Sequence, residues 1–249
     1  MTFCCRKPED EILARRRPGV LQRRPRGFSA TELLIVVAIV LIIGMLSFPV
    51  YRRLRLQSDT LYDLNTLRSY QRANMVYAAE HDGWYVPLMV LDVETITGLD
   101  YWYRNRQFRS YLGVPPDPSG SVSHYPPSFH SRRKKGFTSI YGWRGTDFSY
   151  NDDIHGGSSG RIQPVYQARA SQIHRPSQTL AFASSCDWYI IMRLADSYTE
   201  KLDETTKGIK GAIAYRYGGK ALVCYFDGST ALLSREEVVE NRRLWYNDP

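Results

Sequence analysis

The sequence predicts an α+β protein, with one long N-terminal helix packed on a C-terminal head that contains an antiparallel β-sheet. Three observations carry this. An uncharged apolar run covers residues 33–51, and no Gly or Pro interrupts residues 51–81 after it. Strand-like runs recur between residues 179 and 233, and two of them meet through Asp227-Gly228, a strong hairpin signal. Ser234-Arg235-Glu236-Glu237 has the spacing of a capping box, so a short helix is expected to start there and carry Val238 and Val239 inward. The chain divides into a basic N-terminal segment at 1–27, an apolar helix at 28–51, its amphipathic continuation at 52–82 and a globular head at 83–249.

The first 27 residues hold eight Arg or Lys against three Asp or Glu, which is +5 of the chain's formal +8. The basic character therefore sits mostly ahead of the apolar run. At helical rise the stretch from Leu33 to Tyr51 spans roughly 28 Å, about the hydrocarbon thickness of a bilayer. Glu32 stands at its head, where burial of a lone carboxylate costs at least ~2.5 kcal/mol, so an acid there is a functional candidate by default. The run ends Gly44-Met45-Leu46-Ser47-Phe48-Pro49-Val50 with no Ala-x-Ala site, unlike a secretory signal. Arg23-Arg24 is followed by Pro25-Arg26-Gly27, which does not continue a twin-arginine signal. Six arginines precede the run closely (Arg15, Arg16, Arg17, Arg23, Arg24, Arg26) against Arg52, Arg53, Arg55 and Arg68 beyond it, so the leader is expected in the cytoplasm and the head outside.

Gly27-Phe28, then Glu32-Leu33-Leu34 and an aliphatic run, resembles the prepilin cleavage and methylation signal of type IV pilins and type II secretion pseudopilins. The resemblance implies a membrane aspartyl peptidase that cuts between Gly27 and Phe28 and methylates the new amine of Phe28, leaving the helix in place. Ser29, Ala30 and Thr31 depart from the commoner Thr, Leu and Ile or Val. Gly27, lacking a Cβ, lets a protease approach the backbone closely. Phe28 and Glu32 are four apart and share a helix face, so a protomer shifted by about a turn sets its Phe28 ammonium beside a neighbour's Glu32. Such a pair acts as a register device in low dielectric. Pro49 lies twenty-one residues past Phe28, where type IV pilins commonly carry a proline. It removes the helical bond to Met45, and Gly44 loosens the same stretch.

Beyond the membrane, Leu54, Leu61, Leu64, Leu67, Met75 and Ala78 recur at spacings of three, four or their sums. One helix is expected to continue to Ala79 or Glu80 with that stripe against the head, stopping at Asp82-Gly83. Val76 to Pro87 resembles the helix end of a pseudopilin-like family. The 166 residues from Trp84 to Pro249 are enough for a core of their own. Residues 113–136 and 151–162 read as loops. Strands are expected at Thr179 to Ser184, Trp188 to Arg193, Ala212 to Tyr217, Ala221 to Phe226 and Ser229 to Leu233. Arg175-Pro176-Ser177-Gln178-Thr179 is similar to that family's strand entry, and Tyr217 occupies the position where the family has a His separated by nine residues from Asp-Gly. That substitution suits a packing or hydrogen-bonding role and not metal binding or catalysis. Cys4 and Cys5 belong to the leader. Cys186 and Cys224 are the one pair that can join in the head, as a disulfide or as buried thiols.

Enzyme chemistry finds little support. Gly156-Gly157-Ser158-Ser159-Gly160 matches a hydrolase pattern without the strand-to-helix context that exposes such a serine. His81, His124, His130, His155 and His174 are scattered, with no zinc spacing. Asp147, Asp152 and Asp153 are carboxylates a calcium ion would use, but they lack the spacing of an EF-hand loop. Arg132-Arg133-Lys134-Lys135 beside Tyr125, Phe129 and Phe137 reads as a solvated basic loop before it reads as a DNA contact. The expectation is a structural pilin-like or pseudopilin subunit, not an enzyme, with no catalytic residue, metal or cofactor. Its partners would be the prepilin peptidase and methyltransferase, other subunits and the inner-membrane assembly platform; nucleic acid is not among them. It would sit in a bacterial inner membrane by a single pass, head periplasmic, or in a fibre. The alternative is an anchored exoplasmic protein that binds a secreted substrate, glycan or DNA without polymerising.

Overall fold

The computed structural model describes residues 29–91, 99–114, 130–133, 148–155, 165–200 and 211–246. Two units divide the chain, Met1–Pro49 and Val50–Pro249. Helix α1 runs Ala30–Glu80 and keeps Pro49 inside it. In the first unit its apolar side chains are all exposed, Leu33 at 60% and Ile43 at 57% among them. Among the described residues it is one helix long and apolar enough to cross a membrane.

In the second unit α1 ends as Asp82-Gly83 predicts. Asp82 and Gly83 take positive φ of 51° and 83°, and the Gly83 amide donates to the Ala78 carbonyl at 2.8 Å, satisfying an orphan of the last turn. The buried face of α1 differs from the expected stripe. It is lined by Asp63, Thr66, Leu67, Tyr70, Gln71, Ala73, Asn74, Tyr77 and Ala78. Leu54 and Leu61 are each 59% exposed and Met75 is 45% exposed. Polar side chains take the inward positions because the head supplies partners for them. Gln71 Nε2 donates to the Phe226 carbonyl at 2.6 Å, Asn74 Nδ2 donates to the Tyr150 hydroxyl at 2.7 Å, and Asn74 Oδ1 accepts from the Val86 amide.

The head holds strands β1 (Met89–Leu91), β2 (Leu99–Tyr101), β3 (Phe148–Asn151), β4 (Val165–Tyr166), β5 (Leu180–Ser184), β6 (Tyr189–Ile190), β7 (Lys220–Tyr225) and β8 (Thr230–Ser234). Its helices are α2 (Arg106–Tyr111), α3 (Asp152–His155), α4 (Arg235–Val239) and α5 (Arg242–Trp245). A small antiparallel sheet has the order β2-β1-β4, and a five-stranded sheet has the order β6-β3-β5-β7-β8. The larger sheet is antiparallel except where β3 runs parallel to β6. The α+β architecture is thus the one predicted, with one parallel pair added.

Sidedness follows the period of two along β7. Leu222 and Cys224 join the core beneath α1, while Ala221 and Val223 join a second core on the opposite face. In β5 a register shift between Leu180 and Phe182 breaks the alternation. Ala181 and Phe182 both reach the α1 core, whereas Leu180 and Ala183 reach the other. Tyr70 of α1 sits edge-on among Trp102, Phe108, Phe148 and Phe182, at centroid distances of 5.6, 6.3, 6.0 and 5.7 Å. The second core holds Ile190, Ile213, Val238, Leu244 and Trp245.

The Asp227-Gly228 turn forms, with Gly228 at φ 86° and Asp227 Oδ1 accepting from the Ser229 amide and hydroxyl. The Ser234 and Glu237 capping box forms with both reciprocal bonds, and Val238 is fully buried. Two strand expectations shrink. Trp188 to Arg193 yields only Tyr189–Ile190 before a 3-10 turn at Met192–Leu194. Ala212 to Tyr217 gives no strand; Ile213 forms an isolated antiparallel bridge with Ser185, just past β5, and Gly211 ahead of the stretch bridges Ile190 of β6.

Candidate functional site

The residues that the sequence reading takes as a cleavage and assembly signal fall only partly within the described residues. Gly27 and Phe28 lie outside it. Ser29 and Glu32 are described, and they form a reciprocal cap at the head of α1. Glu32 Oε2 accepts from the Ser29 amide at 2.9 Å and from the Ser29 hydroxyl at 3.0 Å, while the Glu32 amide donates to Ser29 Oγ at 3.2 Å. This is capping-box geometry, and the Ser-x-x-Glu spacing carried the signal for it. The carboxylate is therefore not alone within its own molecule. Both bonds fall on Oε2 and come from neutral donors, which leaves Oε1 open to a further donor.

Pro49 closes the first unit. Without an amide hydrogen it cannot donate to the Met45 carbonyl. Two residues earlier, Ser47 Oγ donates to the Ile43 carbonyl at 2.7 Å, a back-bond that often accompanies bending in a helix.

A second constellation joins α1 to the head around Asp63, which is fully buried. Three donors meet its carboxylate. Oδ2 accepts from the Ser131 hydroxyl at 2.6 Å and from the Tyr217 hydroxyl at 2.7 Å, and Oδ1 accepts from the Arg132 amide at 3.0 Å. Burial pushes the Asp63 carboxyl above its ordinary range, with the Ser131, Tyr217 and Arg132 bonds and the Arg216 charge opposing. Burial raises the Tyr217 hydroxyl as well, and the Asp63 charge adds to this, so Tyr217 stays a donor. The Arg132 guanidinium lies 3.7 Å from the centre of the Tyr62 ring, and Arg133 Nη2 donates to the Arg216 carbonyl at 3.1 Å. Tyr217 therefore does in this fold what a hydrogen-bonding residue does: it ties the turn ahead of β7 to α1. Sequence reasoning found Tyr217 but not its partner, since Asp63 is 154 residues away.

The cysteine pair does not join. Cys186 and Cys224 are buried and not bonded to each other. Cys224 points to the core under α1, and Cys186 belongs to the core on the other face of the sheet. Burial raises the Cys224 thiol to about 12, so it is inert as a nucleophile.

The remaining chemical candidates are modest. Gly156 to Gly160 and Asp147 lie outside the described residues, as do Lys134 and Lys135. Asp153 Oδ2 accepts from the Met192 amide at 2.8 Å, which commits it to the fold. Among the described residues no three His, Cys, Asp or Glu side chains group as metal ligands. Comparison of the chain with protein families, curated proteins and solved structures finds no match.

Proposed function

We propose that this chain is a pilin-like or pseudopilin subunit, cut between Gly27 and Phe28, anchored in a bacterial inner membrane by α1 and assembled through α1 into a pseudopilus or surface fibre. The observation that carries the reading is the exposed apolar first half of α1, headed by a single carboxylate, on a chain that otherwise folds a buried core. Exposed apolar surface on that scale is solvent-compatible only when lipid or other protein covers it. Glu32 Oε1 is the acceptor for the Phe28 ammonium of an adjacent copy. The prepilin peptidase and the assembly platform are the partners this reading requires.

One observation favours the alternative of a non-polymerising anchored protein: Glu32 already has hydrogen bonds within its own chain. Glu32→Gln separates the two. Glutamine keeps the capping box, since its amide oxygen also accepts from Ser29, yet it lacks the charge that a neighbour's ammonium needs. Fibre incorporation, measured by crosslinking along α1 in cells with the whole apparatus, should fail in this variant while membrane insertion persists. Incorporation equal to the parent's sinks the assembly reading. Mass spectrometry of the native amino terminus should find methylated Phe28; an intact leader sinks the processing step.

A further inference from the structure

Past its apolar run, and before the head covers it, α1 has a bare neck. Residues 50–58 are all exposed, and the first buried side chain of α1 is that of Asp63. At helical rise the neck extends about 13 Å. It carries Arg52, Arg53 and Arg55 together with Val50, Tyr51, Leu54 and Leu56, which are 58%, 61%, 59% and 49% exposed.

The charge of this stretch is of one sign until its end. From Val50 to Tyr62 the charged side chains are the three arginines and half-buried Asp59, four residues past Arg55, so three positive charges stand against one negative. The next carboxylate does not change the balance. Asp63 is closed by its bonds to Ser131, Tyr217 and the Arg132 amide, and the side chain of the head that lies over Tyr62 is the cationic Arg132.

The placement of the arginines around α1 says what kind of ligand suits them. At about 100° per residue they spread over about 160° of the circumference, with Leu56 between Arg52 and Arg53, while Val50, Leu54 and Tyr51 occupy the remaining side. A packed protein partner covers one stripe of a helix. Small anions reach it from several sides. Along the axis, Arg52 to Arg55 rise only about 5 Å, which fits the headgroup layer of one leaflet, about 5–7 Å deep. Tyrosine beside arginine is also the composition of a membrane–water boundary, where the ring and the arginine stems stay apolar and the guanidiniums reach the phosphates.

We propose that Arg52, Arg53 and Arg55 form a collar that binds the phosphates of anionic phospholipids in the leaflet next to the head, with Tyr51 and Leu54 against the upper acyl chains. This binding rests on the reading of α1 as a membrane span and does not require copies of the chain to assemble. A planar guanidinium pairs with phosphate oxygens through two parallel bonds, and each cation near an anionic surface strengthens binding about fivefold.

The test places the full chain in phosphatidylcholine bilayers and compares immobilisation of spin-labelled phosphatidylglycerol with that of spin-labelled phosphatidylcholine by electron paramagnetic resonance. The parent should prefer phosphatidylglycerol. Arg52→Gln, Arg53→Gln and Arg55→Gln combined should cut that preference at least about fivefold. The arginines of residues 1–27 are common to both proteins, so the difference between them reads the neck alone. Arg72→Gln removes an exposed charge about 30 Å further along α1 and should leave the preference unchanged. Melting of the head should be the same in every variant, since no neck side chain is buried. An equal preference in parent and triple variant overturns the collar, and so does equal immobilisation of both lipids by the parent. Loss of crosslinks between copies in the triple variant, with no lipid preference in the parent, assigns the arginines to a neighbour's carboxylates and overturns it as well. Alkaline carbonate separates this failure from that of the membrane reading. Extraction of the parent from the bilayers removes both, whereas resistance to extraction with an unchanged preference removes the collar alone.

Discussion

The stability of the head should depend on two groups of α3, buried His155 and half-buried Asp152, that oppose one another between pH 4 and 6.5. His155 is buried, its Nδ1 bonded to the Asn151 carbonyl at 2.6 Å and its Nε2 without a partner. Burial lowers its pKa from 6.5 to about 4, the bond to Asn151 opposing. The unfolded chain therefore takes up a proton that the fold refuses, and stability falls as pH drops from 6.5 to 4. At 1.36 kcal/mol per unit that loss is about 3 kcal/mol. Asp152 acts the other way. Burial first, and the Asp153 charge second, raise it from 3.8 to about 6, so the fold takes up the proton early and stability rises as pH drops from 6 to 3.8. The full shift would be worth about 3 kcal/mol, and partial exposure of Asp152 reduces this to about 2 kcal/mol. Neither group is among the causes of the other's shift, so the two contributions add. The parent should lose only about 1 kcal/mol from this corner across the window. Asp152→Asn should steepen the loss to about 3 kcal/mol, and His155→Gln should turn it into a gain of about 2 kcal/mol. Urea unfolding of micelle-bound protein at several pH values, followed by tryptophan fluorescence and expressed as differences from the parent, reads both slopes and cancels the common carboxylates. Parallel curves for the three proteins would refute the reasoning.

Three further outcomes follow from contacts described above. Tyr217→Phe removes one of three donors from buried Asp63 and should cost about 1–3 kcal/mol in urea unfolding, because a desolvated acid loses a bond that water cannot replace; an unchanged midpoint would mean the bond is dispensable. Gly211→Ala places a Cβ 3.0 Å from Ile191 Cγ1 and 3.1 Å from Tyr189 Cε2 at φ 80°, while Gly219→Ala at φ 81° meets nothing within 4 Å. The first should be more destabilising by about 1–3 kcal/mol, and equal melting temperatures would show that overpacking contributes nothing. Ser234→Ala loses the N-cap of α4 and should cost about 1 kcal/mol, checked by the same urea midpoints.

Where local chemistry decides an element, the sequence was a sufficient guide. Asp82-Gly83 stops α1 because the chain there needs positive φ. Ser234 and Glu237 start α4 because two amides need acceptors, and Asp227-Gly228 turns the β7 to β8 hairpin. The face of α1 was not legible, since period arguments weight aliphatic residues. Leu61 and Met75 lie outward, and the inward places of Asp63, Gln71 and Asn74 depend on partners 68 to 155 residues away or on Tyr150. The disulfide question was open for a related reason. Which sheet face each cysteine takes is fixed by strand register and by the end of β5, neither of which residue types reveal. The short β6 and the missing strand at 212–217 show the same limit, because β-branched composition describes burial as well as pairing.

Two carboxylates on α1 illustrate how the same group serves different ends. Asp63 has its hydrogen-bond partners from residues distant in sequence and no exposed surface, so its loss should be felt as unfolding of the head. Glu32 has its partners from Ser29, three residues earlier, and keeps one oxygen toward its surroundings. Its neutralisation should leave both α1 and the head folded. Under the proposed function, an assembly defect at Glu32 with an intact head, and a folding defect at Asp63 that removes assembly only secondarily, are therefore separable phenotypes. The separation rests on one physical difference: a bond closed by neighbours in sequence survives without the rest of the protein, whereas a bond closed by the tertiary fold exists only while that fold does.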